Sequence, residues 1–254
     1  MNTSSEPRAD QEVAKTAPTG SRRRQSSAQP KDALNARGLK SRQRLKTAVQ
    51  DVLNEKGYRN VRIQDVTERA GVASGLFYHY FRDMREAVAE VASDFFDELV
   101  DDSSSLGDFE EPFDWIFLNH CNVVNRFTRN PGILACLFGL AGDYEEFGGI
   151  WKKNAHVWNL QVADFLQTAV GYSSDNARRL AFVLGATTEG VIYQALIRRT
   201  EDLFEFGEQP EDIAEIIAVM WYRSIFLRDP PADRLHASGR RLAGLSPAPD
   251  HKDE

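Results

Sequence analysis

Apolar residues recur along this chain with the period of an α-helix. The first clear run lies between Ser41, a residue type that favours helix N-caps, and Gly57, which favours helix ends. Its apolar positions follow the spacing of a helix that is buried on one side. These positions are Leu45, Ala48, Val49, Val52 and Leu53.

Two shorter helices are predicted next, with a glycine turn between them. An apolar stripe from Ile63 to Ala70 predicts two helical turns that end at Gly71. The following helix begins near Ala73 and ends in an aromatic block at 77–81. At about 100° per residue, its inward and outward faces separate clearly. The inward face is predicted to hold Ala73, Phe77, Tyr80 and Phe81, and the outward face centres on Gly75 and His79.

The remainder of the chain predicts further helices and no convincing β-strand. Asp83 and Glu86 have the spacing of a capping box at the start of the fourth helix. Pro112 suits the first turn of the fifth. The apolar pattern predicts four more helices, at about 133–140, 143–170, 174–199 and 211–226. The predicted fold class is therefore all-α.

Composition along the chain divides it into four segments. Residues 1–38 are polar and lack periodicity, which predicts a disordered arm, and 229–254 predict a disordered tail. Between them we expect a three-helix domain at 39–84 and a larger helical domain at 85–228. The three arginines at 22–24 leave two alternatives open, a solvated tail or an arm that contacts phosphates or the minor groove.

Charge is distributed unevenly, which changes the picture of an acidic protein with a net charge of −7. Residues 1–90 carry 17 Lys and Arg against 11 Asp and Glu, a net charge of +6. The rest of the chain carries 14 against 27, a net charge of −13. A basic end of this kind is typical of a protein that meets a polyanion. Neither Cys121 nor Cys136 belongs to a zinc or disulfide pattern, and no secretory signal or long apolar run is present, so we expect a cytoplasmic protein without a membrane partner.

The two short helices around Gly71 have the layout of a helix-turn-helix, in which the second helix enters the major groove and the first braces it. Gly75 would allow a close approach to the bases, and Leu76 could contact a thymine methyl group. Gln64 could pair with adenine, and hydroxyl or imidazole groups could reach bases or phosphates. The predicted DNA-binding residues are Arg42, Gln64, Ser74, Gly75, Leu76, Tyr78, His79, Tyr80 and Arg82. The alternative from these residues alone is a helical corner inside a bundle.

These residues resemble the DNA-binding domain of the TetR family of bacterial transcriptional regulators. The resemblance covers residues 41–86 and rests on the segments 42–45, 55–58, 65–72 and 75–81, which read RQRL, EKGY, DVTERAGV and GLFYHYF. It implies that 39–84 is the DNA-binding domain and 85–228 the ligand-binding and dimerisation domain. It also implies a homodimer that binds a palindromic operator, usually as a repressor, and releases the DNA when a small molecule binds the C-terminal domain.

The chain departs from the family pattern at three positions of this domain. Arg62 and Ala73 stand where a Thr or Ser cap is common, and Met84 replaces a frequent phosphate-contacting Lys. Arg62, Arg82 or Arg85 would have to supply the missing contacts. One alternative is therefore a helical sensor or partner-binding protein with impaired DNA binding.

The helices after residue 85 suggest a ligand cavity and a dimer interface. The helices at 177–197 and 213–226 are apolar on more than one side, which suits an interface of two helices from each subunit, or else closes the monomer core. Glu189 lies in an otherwise apolar helix, where a buried carboxylate needs a partner. Aromatic and polar residues could line a cavity or simply fill the core. The candidates are Trp115, His120, Phe127, Trp151, Trp158, Phe165, Glu189 and Tyr193.

Motifs of catalysis are missing from the sequence. No phosphate loop, dinucleotide fingerprint or nucleophile elbow occurs, and no histidine follows a glutamate at the spacing of a di-iron site. His120 and Cys121 are adjacent, but neighbouring helix positions point about 100° apart, so they do not form a catalytic pair. We therefore expect no catalytic residues, metal or cofactor, and a helical-bundle enzyme is the weakest alternative.

Overall fold

The structure, a computed structural model, describes residues 31–104, 109–204 and 207–245. All regular structure within these ranges is helical, which confirms the all-α prediction. The helices are α1 (Lys31–Lys56), α2 (Ile63–Ala70), α3 (Ser74–Tyr80), α4 (Met84–Ser104), α5 (Pro112–Arg129), α6 (Pro131–Gly139), α7 (Glu145–Thr168), α8 (Ser174–Ile192), α9 (Glu201–Phe204), α10 (Pro210–Phe226) and α11 (Ala237–Ala243).

The first three helices share one apolar core. All five residues of the predicted α1 stripe are buried, together with Val66 of α2, Phe77 of α3 and Phe81 just beyond it. The capping box at the start of α4 is confirmed, since the Glu86 carboxylate accepts the Arg82 N–H at 2.6 Å and Asp83 accepts the Glu86 N–H at 2.9 Å. Because Arg82 and Asp83 directly follow Phe81, this cap lies where the aromatic block ends.

The larger domain is built from two closely packed helix pairs. Helix α10 lies along α5, and α7 lies along α8, while α4 contacts α5, α6 and α7. Trp221 and Tyr222 of α10 are fully buried, and the Tyr222 hydroxyl donates to Glu111 at 3.0 Å at the start of α5. Helix α8 continues beyond Ile192 as a π-helical segment, Tyr193–Arg198.

Two predicted segment boundaries are wrong. Helix α1 begins at Lys31 and not at Ser41, so the predicted disordered arm does not extend through 31–38. Those residues lack an apolar stripe, but Ala33, Leu34, Ala36 and Arg37 among them favour helix. The rest of the arm, including the arginines at 22–24, lies outside the described residues.

The predicted disordered tail is also wrong for residues 229–245, because they fold back onto α10. Leu235 and Leu242 are buried, and the buried carboxylate of Glu215 holds the first turn of α11. That carboxylate accepts the Gly239 N–H at 2.7 Å, and a side chain at Gly239 would meet it at 2.6 Å. The proline pair at 230 and 231 suggested a terminus, whereas it forms a turn back to the core.

Helix α8 exposes much of its apolar surface. Ser174–Arg198 is long and apolar enough to cross a membrane by length and composition, and only 28% of its apolar window is buried in the structure. Core helices of folded domains pass the same test of length and composition. The most exposed large apolar residue of this helix is Val183, at 60%.

Candidate nucleic-acid interface

The turn between α2 and α3 depends on a glycine and an arginine. Gly71 has a φ of 62°, in the left-handed region, and the Val72 N–H donates to the Thr67 carbonyl at 3.0 Å. Arg44 of α1 donates to the Ala70 carbonyl at the end of α2, and a Cβ at Gly71 would lie 3.1 Å from this guanidinium. Arg44 therefore positions the turn, a role that sequence reasoning missed because it depends on the crossing of α1 and α2.

The start of α2 explains how Arg62 can replace the usual cap. The Asp65 carboxylate accepts the Arg62 N–H at 2.9 Å and pairs with Lys56 at 2.7 Å. The hydrogen bond from Lys56 and that from the Arg62 backbone lower the pKa of Asp65. Because Asp65 does the capping, the Arg62 side chain stays exposed, and within the described ranges no carboxylate lies within 4.0 Å of its guanidinium.

Helix α3 has the two faces that the sequence predicts, with one correction. Phe77 is fully buried, whereas Tyr78 is 61% exposed and Ser74, Gly75 and His79 are exposed. The predicted inward position of Ala73 is wrong, because Ala73 is the extended N-cap residue and lies outside the helical repeat. Leu76 and Tyr80 are half-buried at the boundary between the faces.

A short polar link joins α2 to α3. The buried Thr67 hydroxyl donates to the Gln64 carbonyl at 3.1 Å and lies 3.5 Å from the Ser74 hydroxyl. The Gln64 amide, exposed on α2, donates to Glu68 at 2.8 Å. The Thr67 hydroxyl therefore links the Gln64 backbone of α2 to the Ser74 side chain of α3. To contact a base, the Gln64 amide would have to give up its hydrogen bond to Glu68.

The two predicted arginines differ in their availability. Arg42 pairs with Glu90 at 2.6 Å and lies over the Phe81 ring, so it joins α1 to α4 and is already engaged. Arg82 contacts Asp83 at 3.2 Å, but 71% of its side chain is exposed. Met84 is half-buried against the core and offers no charge. The free Arg62 and the exposed Arg82 are thus the cations nearest in sequence to the two short helices that remain accessible.

The predicted ligand residues divide between a cleft and its surroundings. Four of them, Phe127, Trp151, Trp158 and Glu189, line a narrow cleft between α4, α5, α7 and α8 with a volume of about 70 Å³. The other four, Trp115, His120, Phe165 and Tyr193, are absent from this lining. Trp115 and Phe165 stack on each other at 4.2 Å, Tyr193 packs on Phe138 at 5.2 Å, and His120 lies one layer behind.

His120 belongs to a buried relay of hydrogen bonds. Its Nδ1 lies 2.7 Å from the Ile116 carbonyl, which assigns the proton to that nitrogen, and its Nε2 faces the Thr188 hydroxyl at 3.4 Å. The Trp221 indole donates to the same hydroxyl at 2.9 Å. Burial lowers the pKa of His120 to about 4, so the imidazole is neutral near pH 7. Burial also raises the pKa of the Cys121 thiol to about 12, which leaves it unreactive.

The sequence matches known regulators in its first described helices. Residues 46–91 match the family model described as bacterial regulatory proteins, tetR family. An uncharacterised HTH-type transcriptional regulator of Lactococcus lactis, encoded in the lacX 3' region, is 28% identical over 98 residues. That match covers 35% of this chain and about half (49%) of the relative.

Solved structures share the fold across both domains. A transcriptional regulator from a Rhodococcus species superposes with a TM-score of 0.60 at 23% identity, over 72% of this chain and 96% of that one. A TetR transcription regulator from Haloarcula marismortui gives 0.62 at 13%, over 74% and 98%. FadR from Bacillus subtilis, solved in complex with stearoyl-CoA, gives 0.50 at 14%, over 70% and 96%.

The braced helix pair and the exposed face of α3 define a helix-turn-helix DNA-binding protein. Residues 46–91 thus match the helix-turn-helix segment of bacterial TetR-family regulators, and solved transcriptional regulators share the fold of the described helices.

Proposed function

We propose that this protein is a homodimeric, cytoplasmic repressor that binds a palindromic operator and releases it when a small molecule enters the helical domain. The observation that carries the proposal is the exposed face of α3, which stands on a core that Phe77 and Phe81 hold. A helix used only for packing would not leave Tyr78, the largest side chain of that face, 61% exposed.

The exposed groups fall into two sets, one suited to contacts with base edges and the other to contacts with phosphates. Ser74, Gly75 and His79 lie on the outer face of α3, and Gln64 lies on α2 beside it, which suits contacts to base edges. Tyr78, Arg62 and Arg82 carry donors that suit phosphate oxygens. Tyr80, half-buried, would reach only the edge of such a surface.

Selection of operators from random DNA tests the whole proposal. We expect a palindrome whose half-sites lie about one helical turn, or a multiple of it, apart. We also expect that log affinity falls linearly with log salt concentration, because bound phosphates release counterions. Failure to enrich any sequence, together with equal weak affinity for all DNA at low salt, would favour the rival sensor with impaired DNA binding.

The exposed face of α8 supports the homodimer. Val183 and Thr187 are exposed on α8, together with Ala186 and Gly190, which are small residues that permit close packing. Helix α10 offers less than predicted, because its apolar residues pack on α5 and α11 and Met220, at 49% exposed, is the main exception. We expect light scattering to show a dimer, and Val183→Asp to give a monomer that keeps its helical content.

The contacts of α1 with α5 and α6 provide a route from ligand to DNA. Gln50 donates to Asn130 at the corner between α5 and α6, and the Gly132 N–H donates to Asn54 at 3.0 Å. A Cβ at Gly132 would lie 2.4 Å from the Leu53 backbone, so the helices meet without a gap. Phe127, which lines the cleft, lies on the last turn of α5. A ligand that displaces this turn would therefore move α1, and α3 would move with it.

The cleft must widen to hold a ligand. Its volume of about 70 Å³ is well below the ~300–1,000 Å³ that is typical of ligand sites. This is the arrangement expected of a switch, because a ligand that parts α5, α7 and α8 binds the widened state better than the closed one. Thermal unfolding with and without an effector, at fixed DNA, would measure that preference.

A further inference from the structure

The walls of the cleft between α4, α5, α7 and α8 are aromatic. Phe96 and Phe127 lie on one side, and Trp151 and Trp158 of α7 lie along the other. Phe96 and Trp151 contact edge to face at 5.7 Å, and Phe127 and Trp151 lie 6.0 Å apart. Aromatic faces carry negative charge density and attract cations, with tryptophan the strongest.

The lining of the cleft contains one charged side chain, and it is an acid. Glu189 lies on the α8 face that also contributes Gly185, Thr188 and Ile192. Within the described ranges its carboxylate has neither an ion pair nor a hydrogen bond, although it is only partly exposed. An anionic ligand would meet this carboxylate without any cation to offset it.

Neighbouring groups add no positive charge to the cleft. Arg126 of α5 lines a different, polar cleft, where it pairs with Glu98 and lies over the Phe95 ring. His120 does not line the cleft but contacts two of its lining residues, Thr188 at 3.4 Å and the Trp158 ring at 6.0 Å between centroids, and burial keeps it neutral with a pKa of about 4. The electrostatic preference of the cleft is therefore set by Glu189 and the aromatic faces.

Asn159 supplies an unused acceptor in the same lining. Its side chain is 93% buried, and its Oδ1 has no hydrogen-bond partner among the described residues. A Cβ at Gly185 would lie 2.1 Å from this oxygen, so the absent side chain of Gly185 makes room for it against α8. A buried acceptor without a donor is costly, and an N–H group from a ligand would satisfy it.

We propose that the cleft binds a lipophilic organic ammonium ion, whose N–H donates to Asn159 Oδ1, whose charge faces Glu189, and whose body lies between the aromatic walls. The indole N–H of Trp151 is likewise buried, has no hydrogen-bond partner within the described ranges, and suits an ether or carbonyl oxygen on the ligand body. The assignment names the effector class of the proposed repressor and rests on that function only for its effect on DNA.

The test uses three probes with one body and different charges. Phenylbutylamine, phenylbutanol and phenylbutanoate are titrated into the full-length protein near neutral pH, with calorimetry and tryptophan fluorescence as readouts. Octylamine, octanol and octanoate repeat the series with an alkyl body. We expect the amines to bind about tenfold or more tightly than the alcohols, because of the cation–π and carboxylate contacts, and the carboxylates to bind most weakly.

Glu189→Gln keeps the shape of the side chain and removes its charge. We expect it to reduce the preference for amine over alcohol to the part that the aromatic walls supply, and to leave alcohol affinity unchanged. The matched control is Glu145→Gln, at an exposed residue in the first turn of α7 outside the cleft, which should alter neither. Equal binding of all probes, tighter binding of the carboxylates, or no binding in either series would overturn the assignment.

A DNA release assay separates this assignment from the proposed function. Amines that bind with the expected preference but leave the selected operator bound would uphold the ligand class and refute induction. If no operator can be selected at all, the proposed function fails while the binding results still decide the ligand class.

Discussion

Two aromatic regions of this protein differ in whether their polar atoms are exposed to solvent or buried. In α3 and just beyond it, Phe77 and Phe81 are buried, while the hydroxyl of Tyr78 and the imidazole of His79 lie on an exposed face. In the cleft of the larger domain, the indole N–H of Trp151 and the amide oxygen of Asn159 are buried without partners among the described residues. The exposed face of α3 suits contact with hydrated phosphate groups, as the proposed function requires. The cleft suits a ligand that carries polar groups of its own.

The difference teaches that these regions obtain specificity in opposite ways. Exposed donors on α3 exchange water for phosphate or base at little cost, so geometry decides what they bind. Buried orphan groups have already lost their water, so they reward only a ligand that satisfies them. The contacts of Gln50 and Asn54 with the corner between α5 and α6 connect the two regions.

The largest expected effect separates scaffold from surface within α3. Phe77→Ala should lower the free energy of unfolding by about 3–5 kcal/mol, since it leaves a cavity under the helix. Urea denaturation measures this loss, and DNA binding should disappear with it. A variant that unfolds at the wild-type urea concentration would show that Phe77 is not part of the core.

The buried histidine predicts a dependence of stability on pH. His120 has a pKa of about 4 in the folded state against an ordinary value of 6.5, so the unfolded chain binds its proton first. Stability is therefore fully present above about pH 6.5 and falls as the pH drops toward 4. The loss from this group should reach about 2–3 kcal/mol near pH 4.5.

Comparison of urea midpoints for the wild type and His120→Leu at pH 7.5 and pH 4.5 isolates this contribution, because the carboxylates are common to both chains. The variant should lose about 2–3 kcal/mol less than the wild type on acidification. Equal losses in the two chains would show that His120 titrates normally and that the relay with Thr188 and Trp221 is open to water.

The exposed neighbour of Phe77 should behave in the opposite way. Tyr78→Ala should weaken operator binding by about 1–3 kcal/mol and change the unfolding free energy by less than about 0.5 kcal/mol. Fluorescence anisotropy and denaturation on the same preparation give both values. Loss of folding without a specific loss of affinity would place Tyr78 in the core.

The smallest expected effects concern two glycines, Gly71 between α2 and α3 and Gly75 within α3. Gly71→Ala should destabilise the domain by about 1–2 kcal/mol, because alanine resists the left-handed turn. Gly75→Ala meets no atom within 4 Å and lies in a helix, so it should stabilise the fold by about 0.5–1 kcal/mol.

Gly75→Ala should nevertheless weaken operator binding, since its methyl group stands between the helix and the bases. Gly149→Ala is a matched control, because this exposed glycine of α7 also has no atom within 4 Å of its Cβ position. Wild-type affinity for the operator in Gly75→Ala would show that this face does not approach DNA closely.

The helices α1, α2 and α3 could be predicted from the sequence because the signals that define them are local. The α1 stripe, the turn at Gly71 and the cap of Asp83 with Glu86 each depend on residues within one or two turns of the chain. Arg44 could not be assigned in this way, because its partner, the Ala70 carbonyl, lies 26 residues away. The same limit explains Arg42, whose ion pair with Glu90 spans 48 residues.

The larger domain shows what helical periodicity in the sequence can and cannot predict. It predicts that Trp115, Phe165 and Tyr193 belong to helices, but it does not tell a ring stacked in the core from one that faces a cleft. Helix α11 was missed because its short apolar pattern depends on Glu215, which holds its first turn from another helix.

The sequence by itself determined the helical class, the glycine turn and the face that α3 presents, since these follow from neighbouring residues and backbone preferences. Only the tertiary structure decided which aromatic side chains share a cleft, that Glu189 stands in it without a partner among the described residues, and that α10 packs inward while α8 stays exposed. The physical reason is that burial, and with it the cost of an unpaired polar atom, depends on helices that are distant in the chain.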